Sequence, residues 1–431
     1  MTRTRGKDAA RVRFGAAGAA VTVATLATNA LAYVVPVLGA RRLNAADLGA
    51  LATVLALAAI AAVPGFGLQI AVAAHRARRQ SGGEAGLALR TAAFTAAATL
   101  AATPVLSVAL RLPVALALLL AATTFATVLS GRWLGELQGD QRFLRLAAAM
   151  TVLAVGRYGG LVVGLLAGRG PVTCLLLGTL TGLLAIPILA RLAAPSVAVT
   201  PPPASADAAA SRPLGGRQVT TACVATLAML TISYADLLLA RQLLPAADSG
   251  AYAVGAVLTK GALWAPQVVT LLVLPRLAQG DRRARLVALG LILACGAVLV
   301  AAAAIGGEMA FQLVGGTDYR HLAGSAPLFA ATGALYAVVF MLVNDRVATA
   351  ARWPALPLWV ASAVLAVAAT LIAPRTVTGV LSCALATAAG TALVMGWLVF
   401  RRSAADPPTN ERSPGVTVRA VPTCRTGSPD D

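Results

Sequence analysis

The sequence predicts an all-α polytopic membrane protein, with twelve transmembrane helices in two six-helix lobes related by a pseudo-twofold axis along the membrane normal. Three observations predict it. Apolar runs of roughly 20 residues, the length that crosses a bilayer core of about 30 Å, recur along a chain that is 58% hydrophobic and only 12% charged, with a mean hydropathy of +0.80. Basic residues concentrate at alternate connections between those runs. One short phrase occurs twice, at matching places in the two halves. Spanning segments must satisfy their backbones internally, and no alternating strand pattern is present, so the spans are helices.

Residues 1–13 read as a basic cytoplasmic N-terminus. The runs then fall at 14–38, 48–74, 87–110, 113–134, 144–167 and 172–192 in the first lobe (14–192). In the second (218–400) they fall at 218–243, 249–275, 285–306, 324–346, 355–373 and 377–400. The first run carries Ala30-Leu31-Ala32, which resembles a leader cleavage site, but it is too long for a typical signal-peptide core. In the repeat it is also the counterpart of helix seven, so it is read as a mature span. Residues 193–217, with Pro201-Pro202-Pro203, Ala and Ser, read as a flexible cytoplasmic linker. Six spans on each side leave both lobes in the same orientation. Residues 401–431 are rich in Pro, Ser and Thr and read as a disordered cytoplasmic tail.

Of the 35 Lys and Arg residues, 26 lie in the termini and the alternate connections on one side, 7 lie on the other side, and Arg157 and Lys260 lie inside helices. That asymmetry is the positive-inside rule, and it places both termini in the cytoplasm. It also accounts for the net charge of +19 without nucleic acid. The loops are too short for a soluble catalytic domain. His75 and His321 lie near helix ends, where no nucleophile or metal constellation forms around them. Cys174, Cys223, Cys295 and Cys383 stand singly in apolar runs and Cys424 in the tail, so neither a metal site nor a disulfide framework is indicated. Neither an enzyme nor a cofactor is expected.

The repeated phrase is Ala40-Arg41-Arg42-Leu43-Asn44-Ala45-Ala46-Asp47-Leu48-Gly49 and, one residue longer at its turn, Ala240-Arg241-Gln242-Leu243-Leu244-Pro245-Ala246-Ala247-Asp248-Ser249-Gly250. A duplicated membrane half is how many secondary transporters are built, with the substrate path between the repeats. Asp47 and Asp248 are expected to cap helices two and eight at their N-termini. Arg41 and Arg241 end helices one and seven, where they either complement exposed carbonyls or meet an anionic substrate from an outer cavity. Pro64 and Pro266 occupy corresponding places in helices two and eight, and each should kink its helix.

Arg157, Asp236 and Lys260 are the ionisable groups deepest in the membrane, where a charge should face a wet cavity or a partner. Asp236 and Lys260 lie on adjacent helices at similar depth, either as a structural ion pair or as part of a substrate or coupling site. Arg157 has no acid at its depth in the first half, which suits an anionic ligand such as phosphate. Gly156, Gly160, Gly164 and Gly168, facing Gly178 and Gly182, should bring helices five and six close together. Asn344, Asp345 and Arg346 read as a cap, or alternatively a gate, at the inner end of helix ten. Trp133, Trp353 and Trp397 read as interfacial anchors.

The stretch from Ala40 to Ala52, with Tyr234-Ala235-Asp236, Gly250-Ala251-Tyr252 and Pro275-Arg276-Leu277, resembles bacterial polysaccharide flippases of the multidrug, oligosaccharidyl-lipid and polysaccharide (MOP) exporter superfamily. The resemblance implies two six-helix lobes around a cavity lined by helices one, two, seven and eight, and a location in the bacterial cytoplasmic membrane. It also implies transfer of a lipid-linked anionic glycan, of the polyprenyl-diphosphate type, to the outer leaflet, with membrane lipids and glycan-assembly proteins as partners. Arg157, Lys260, Asp236, Arg41, Arg241 and Asn29 are the candidate substrate contacts. Asn29 is included as the one polar side chain of helix one beyond Thr and Tyr. The arginine cluster that lipid II flippases carry in their first helices has no match here, and the first half lacks the membrane carboxylate expected of a cation-coupled drug antiporter. Two alternatives stay open: a cation-coupled multidrug or metabolite antiporter, and a non-transporting scaffold of a glycan-assembly complex.

Overall fold

The computed structural model describes residues 23–24, 27–77, 83–194, 216–264, 266, 282–348 and 353–405. All its regular elements are helical. In chain order they are α1 (27–42), α2 (Ala45–Ala61, resumed as Val63–Ala77), α3 (Glu84–Ala101, resumed as Thr103–Ala109), α4 (Val114–Gly139), α5 (Phe143–Leu166) and α6 (Pro171–Ala193). The second half supplies α7 (Gly216–Leu243), α8 (Ala246–Trp264), α9 (Arg282–Gly315), α10 (Ala326–Ala348), α11 (Leu356–Leu371) and α12 (Val377–Ala405), with a 3-10 turn, Thr317–Ser325, ahead of α10. Among the described residues eight helices, or nine with the bent α3, are long and apolar enough to span a membrane. α11 is shorter, α8 is less apolar because it carries Asp248, Tyr252 and Lys260, and α1 is described only in part. Together they follow the twelve predicted runs in order.

The two halves pack by one scheme. α5 lies on α6 as α11 lies on α12, α2 on α4 as α8 on α10, α3 on α4 as α9 on α10, and α4 on α6 as α10 on α12. The lobes meet chiefly where α2 crosses α8 and α7. The 193–217 linker and the 401–431 tail fall almost wholly outside the described residues.

Close helix crossings are made by glycine. A side chain at Gly160 would overlap the Leu177 carbonyl, and one at Gly164 would stand 2.9 Å from Cys174 Cα. Thr181 Oγ1 donates to the Gly156 carbonyl at 2.5 Å, which fixes the α5–α6 crossing. A second stripe, Gly131, Gly135 and Gly139 on α4, seats α4 against Gly65, Gln69 and Ala73 of α2 in the same way.

Several expectations are corrected. Asn44 caps α2: its side chain accepts from the Asp47 amide at 2.8 Å and its Nδ2 donates to Asp47 Oδ2, so Asp47 is the third helical residue. Asp248 likewise lies inside the first turn of α8. Trp133 is buried among Leu134, Leu137 and Leu189 and is a core residue, whereas Trp353 and Trp397 are exposed. Asp345 is buried against Arg285 at 2.9 Å and ties α10 to α9. In the first lobe Arg76–Glu84 at 3.1 Å ties α2 to α3 at the corresponding end. α2 is interrupted at Ala62, two residues before Pro64, yet continues as one span. The described part of α8 reaches Trp264 and Pro266 sits in a turn, while residues 265 and 267–281, and with them the kink expected at Pro266, lie outside the described residues.

Candidate functional site: a cationic cavity between the lobes

A cavity of about 230 Å³ lies between the lobes. Its two facing walls are the same four positions of the repeat. Ala52, Leu55, Ala56 and Ala59 come from α2, and Ala253, Ala256, Val257 and Lys260 from α8. This i, i+3, i+4, i+7 spacing is one helix face. α1 adds Asn29, Ala32, Tyr33 and Pro36, α7 adds Tyr234 and Leu237, and Arg157 and Tyr158 enter from α5. Small residues on α2 leave the space, and the repeat is broken where chemistry enters: Lys260 stands where its α2 counterpart is Ala59.

The structure therefore brings together three of the six candidate contacts, Asn29, Arg157 and Lys260. The Lys260 ammonium lies over the Tyr234 ring, 3.5 Å from its centroid, and donates to the Ser233 carbonyl. A ring face and a carbonyl hold the charge without neutralising it. Arg157 stacks near the Tyr158 ring at 5.4 Å, with no hydrogen bond or ion pair among the described residues. Among the described residues no Asp or Glu lines the cavity. The site is thus a small, partly aromatic chamber with two basic side chains among its described lining. Its polar neutral groups are an amide and three tyrosines, with Trp264 at one edge.

Asp236 is not part of it. The carboxylate is 2% exposed and turned into the second lobe, where Oδ2 accepts from the Tyr252 hydroxyl at 2.9 Å and Oδ1 from the Leu237 amide. Of the two alternatives for Asp236 and Lys260, a direct ion pair is not made, although the two groups act on each other through space; Tyr252, itself packed edge-on against Phe329, holds the acid.

Arg41 and Arg241 also lie away from the cavity, and each reaches into the opposite lobe. Arg241 donates to the carbonyls of Leu110 (3.1 Å) and Arg111 (3.1 Å) after α3 and of Ala46 (3.4 Å) at α2. Arg41 donates through Nε to the carbonyl of Leu313 near the end of α9 at 3.1 Å. Between them the repeated glycines touch. A Cβ at Gly49 would stand 3.2 Å from the Gly250 amide nitrogen, and one at Gly250 would overlap the Ala45 carbonyl. Sequence reasoning gave these arginines carbonyl partners in general terms but could not see that the carbonyls belong to the other repeat. It also passed over Tyr33, Tyr158 and Trp264, for which the only signal was their position on faces carrying a candidate charge.

No protein-family sequence profile matches the chain, and no curated protein matches it by sequence. Solved structures do share its fold. The inward-facing conformation of a multidrug resistance MATE family transporter of the MOP superfamily is similar with a TM-score of 0.63 at 14% identity, over 88% of this chain and 96% of that one. The lipid II flippase MurJ in an inward closed conformation is similar with a TM-score of 0.62 at 13% identity, over 90% of this chain and 87% of that one. The eukaryotic MATE transporter AtDTX14 has a TM-score of 0.58 at 13% identity, over 89% and 94% of the two chains.

Proposed function

We propose that this chain is a membrane transporter that moves an anionic lipid-linked glycan from the cytoplasmic to the outer leaflet, with Arg157 and Lys260 receiving its diphosphate. The observation that supports this reading is the cavity's described lining: two basic side chains, no carboxylate, and an arginine with no hydrogen bond or ion pair among the described residues. A half-buried arginine of that kind, open to a chamber between the lobes, is a natural seat for phosphate, and a guanidinium can bind it through two parallel hydrogen bonds. The polar head needs a route through hydrocarbon, while the polyprenyl tail stays in lipid. With the cell interior negative, outward passage of two negative charges is favoured by roughly 4–5 kcal/mol at 100 mV. The likeness in fold to a lipid II flippase supports the same reading, as does the basic asymmetry that assigns the cytoplasmic side.

The competing reading is a cation-coupled drug antiporter, which the likeness to a multidrug resistance transporter brings forward. A cationic drug entering this cavity would meet two like charges and no acid, whereas Asp236 is already engaged by Tyr252. Titration of the purified protein with a fluorescent short-chain polyprenyl diphosphate separates these readings and the scaffold alternative. Arg157→Ala and Lys260→Ala should each weaken binding by about tenfold or more, the worth of one hydrogen bond to an ion. Affinity for a cationic dye but not for the diphosphate would favour the antiporter, and affinity for neither would favour the scaffold.

A further inference from the structure

Each lobe's third helix ends in a bent segment, and each bent segment is held by the arginine of the other lobe. In the first lobe the joint is Ala102, where α3 turns by 43°. Pro104 lacks the amide that would continue the ladder there. In the second lobe the joint is Gly306, whose φ of −107° and ψ of 17° interrupt α9. Beyond the joints, Leu110 and Arg111 offer carbonyls to Arg241, and Leu313 offers its carbonyl to Arg41. Carbonyls left over at a helix C-terminus carry the negative end of its dipole, so a guanidinium there makes a charge-assisted clamp.

The two clamps differ in depth. Arg241 is 7% exposed and has three carbonyl acceptors. Arg41 is exposed, holds the Leu313 carbonyl alone, and borders a recess of about 710 Å³ that also carries Asp248 and Asp318. We infer that Arg41 and Arg241 form a two-part latch closing the central cavity at the end where the repeated phrases meet. Arg41 is the part that lets go first, as its guanidinium passes from Leu313 to the carboxylates of the recess. The Gly49–Gly250 contact lets the lobes seat closely enough for both clamps to form, and release allows the lobes to separate as rigid bodies. The within-lobe ion pairs Arg76–Glu84 and Arg285–Asp345 keep each lobe together meanwhile. This inference rests on reading the central cavity as a transport site.

The test is side-specific labelling of a cysteine placed in the cavity. Val257→Cys is introduced into the full chain, which is embedded in vesicles of either orientation and treated with a membrane-impermeant maleimide. The chain without Val257→Cys serves as the blank. Adding Arg41→Gln should raise labelling from the repeated-phrase side by about tenfold, the shift produced by losing one charge-assisted hydrogen bond. Adding Arg241→Gln should raise it further. Arg41→Lys, which can still donate to Leu313, should stay near the Val257→Cys parent. Because Arg41 is exposed, its single variant decides the matter even if the buried Arg241 variant does not fold. Labelling of the Arg41→Gln protein at the parent's rate overturns the latch, as does equal labelling of Arg41→Gln and Arg41→Lys. The readout needs no substrate, so it fails or succeeds independently of diphosphate binding.

Discussion

A lysine and an arginine define the cavity, and what surrounds each decides its use. Lys260 is held against the Tyr234 face and the Ser233 carbonyl, so its amino group is positioned without a direct acidic partner among the described residues. Depth along a helix was enough to single out both cations from sequence, since a charge at mid-membrane needs a reason. The role of Asp236 was not legible, because a helical position fixes depth but not which neighbour fills the space beside it, and Tyr252 lies 16 residues further on in another helix. Asp236→Asn keeps an acceptor for Tyr252 and leaves the cavity wall unchanged, so diphosphate affinity should stay within about twofold of the parent. Asp236→Leu strands a buried hydroxyl and should cost about 1–3 kcal/mol, read as a lower melting temperature in detergent. Equal loss of diphosphate affinity in both variants would return Asp236 to the binding site.

At the scale of the helix, the hydrophobic runs follow the described helices in order but not at every end. The ninth run ends at 306, and α9 does break there at the Gly306 kink, but a second helical stretch carries it on to Gly315. It continues because Phe311 packs on Phe329, with ring centroids 6.3 Å apart, and Gly307 lies against Ala323. Tertiary contact there outweighs local composition. The glycine stripe on α5 was legible because four-residue spacing is itself the physical requirement for close crossing. The equal stripe on α4 escaped notice, although it obeys the same rule. Gly160→Val should drive a side chain into the Leu177 carbonyl and destabilise the α5–α6 pair by roughly 1–3 kcal/mol or more. Gly159→Ala, where the nearest atom to a new Cβ is 3.6 Å away, should be close to neutral. Thermal unfolding of the two variants checks this, and equal melting temperatures would contradict the packing.

Across the whole molecule, duplication explains both the shape and the site. Two copies of one packing scheme face each other, and the walls contributed by α2 and α8 are the same repeat positions. The repeated phrase is the strongest signal in the sequence, and it marks where the copies touch. In the proposed reading, function enters where the copies differ, at Lys260 opposite Ala59 and at Arg157 from α5. A comparison of the repeats alone would show the first difference but not that the second faces it. Movement of lipid between leaflets is therefore the property to measure. With the protein reconstituted into vesicles, a fluorescent polyprenyl-diphosphate glycan should cross to the opposite leaflet, as read by quenching from outside, and faster when the receiving side is positive. A folded Arg157→Ala, Lys260→Ala double variant should fall to the rate of protein-free vesicles. Undiminished crossing by that double variant, or none by the unaltered chain, would contradict a cationic cavity that carries the head group.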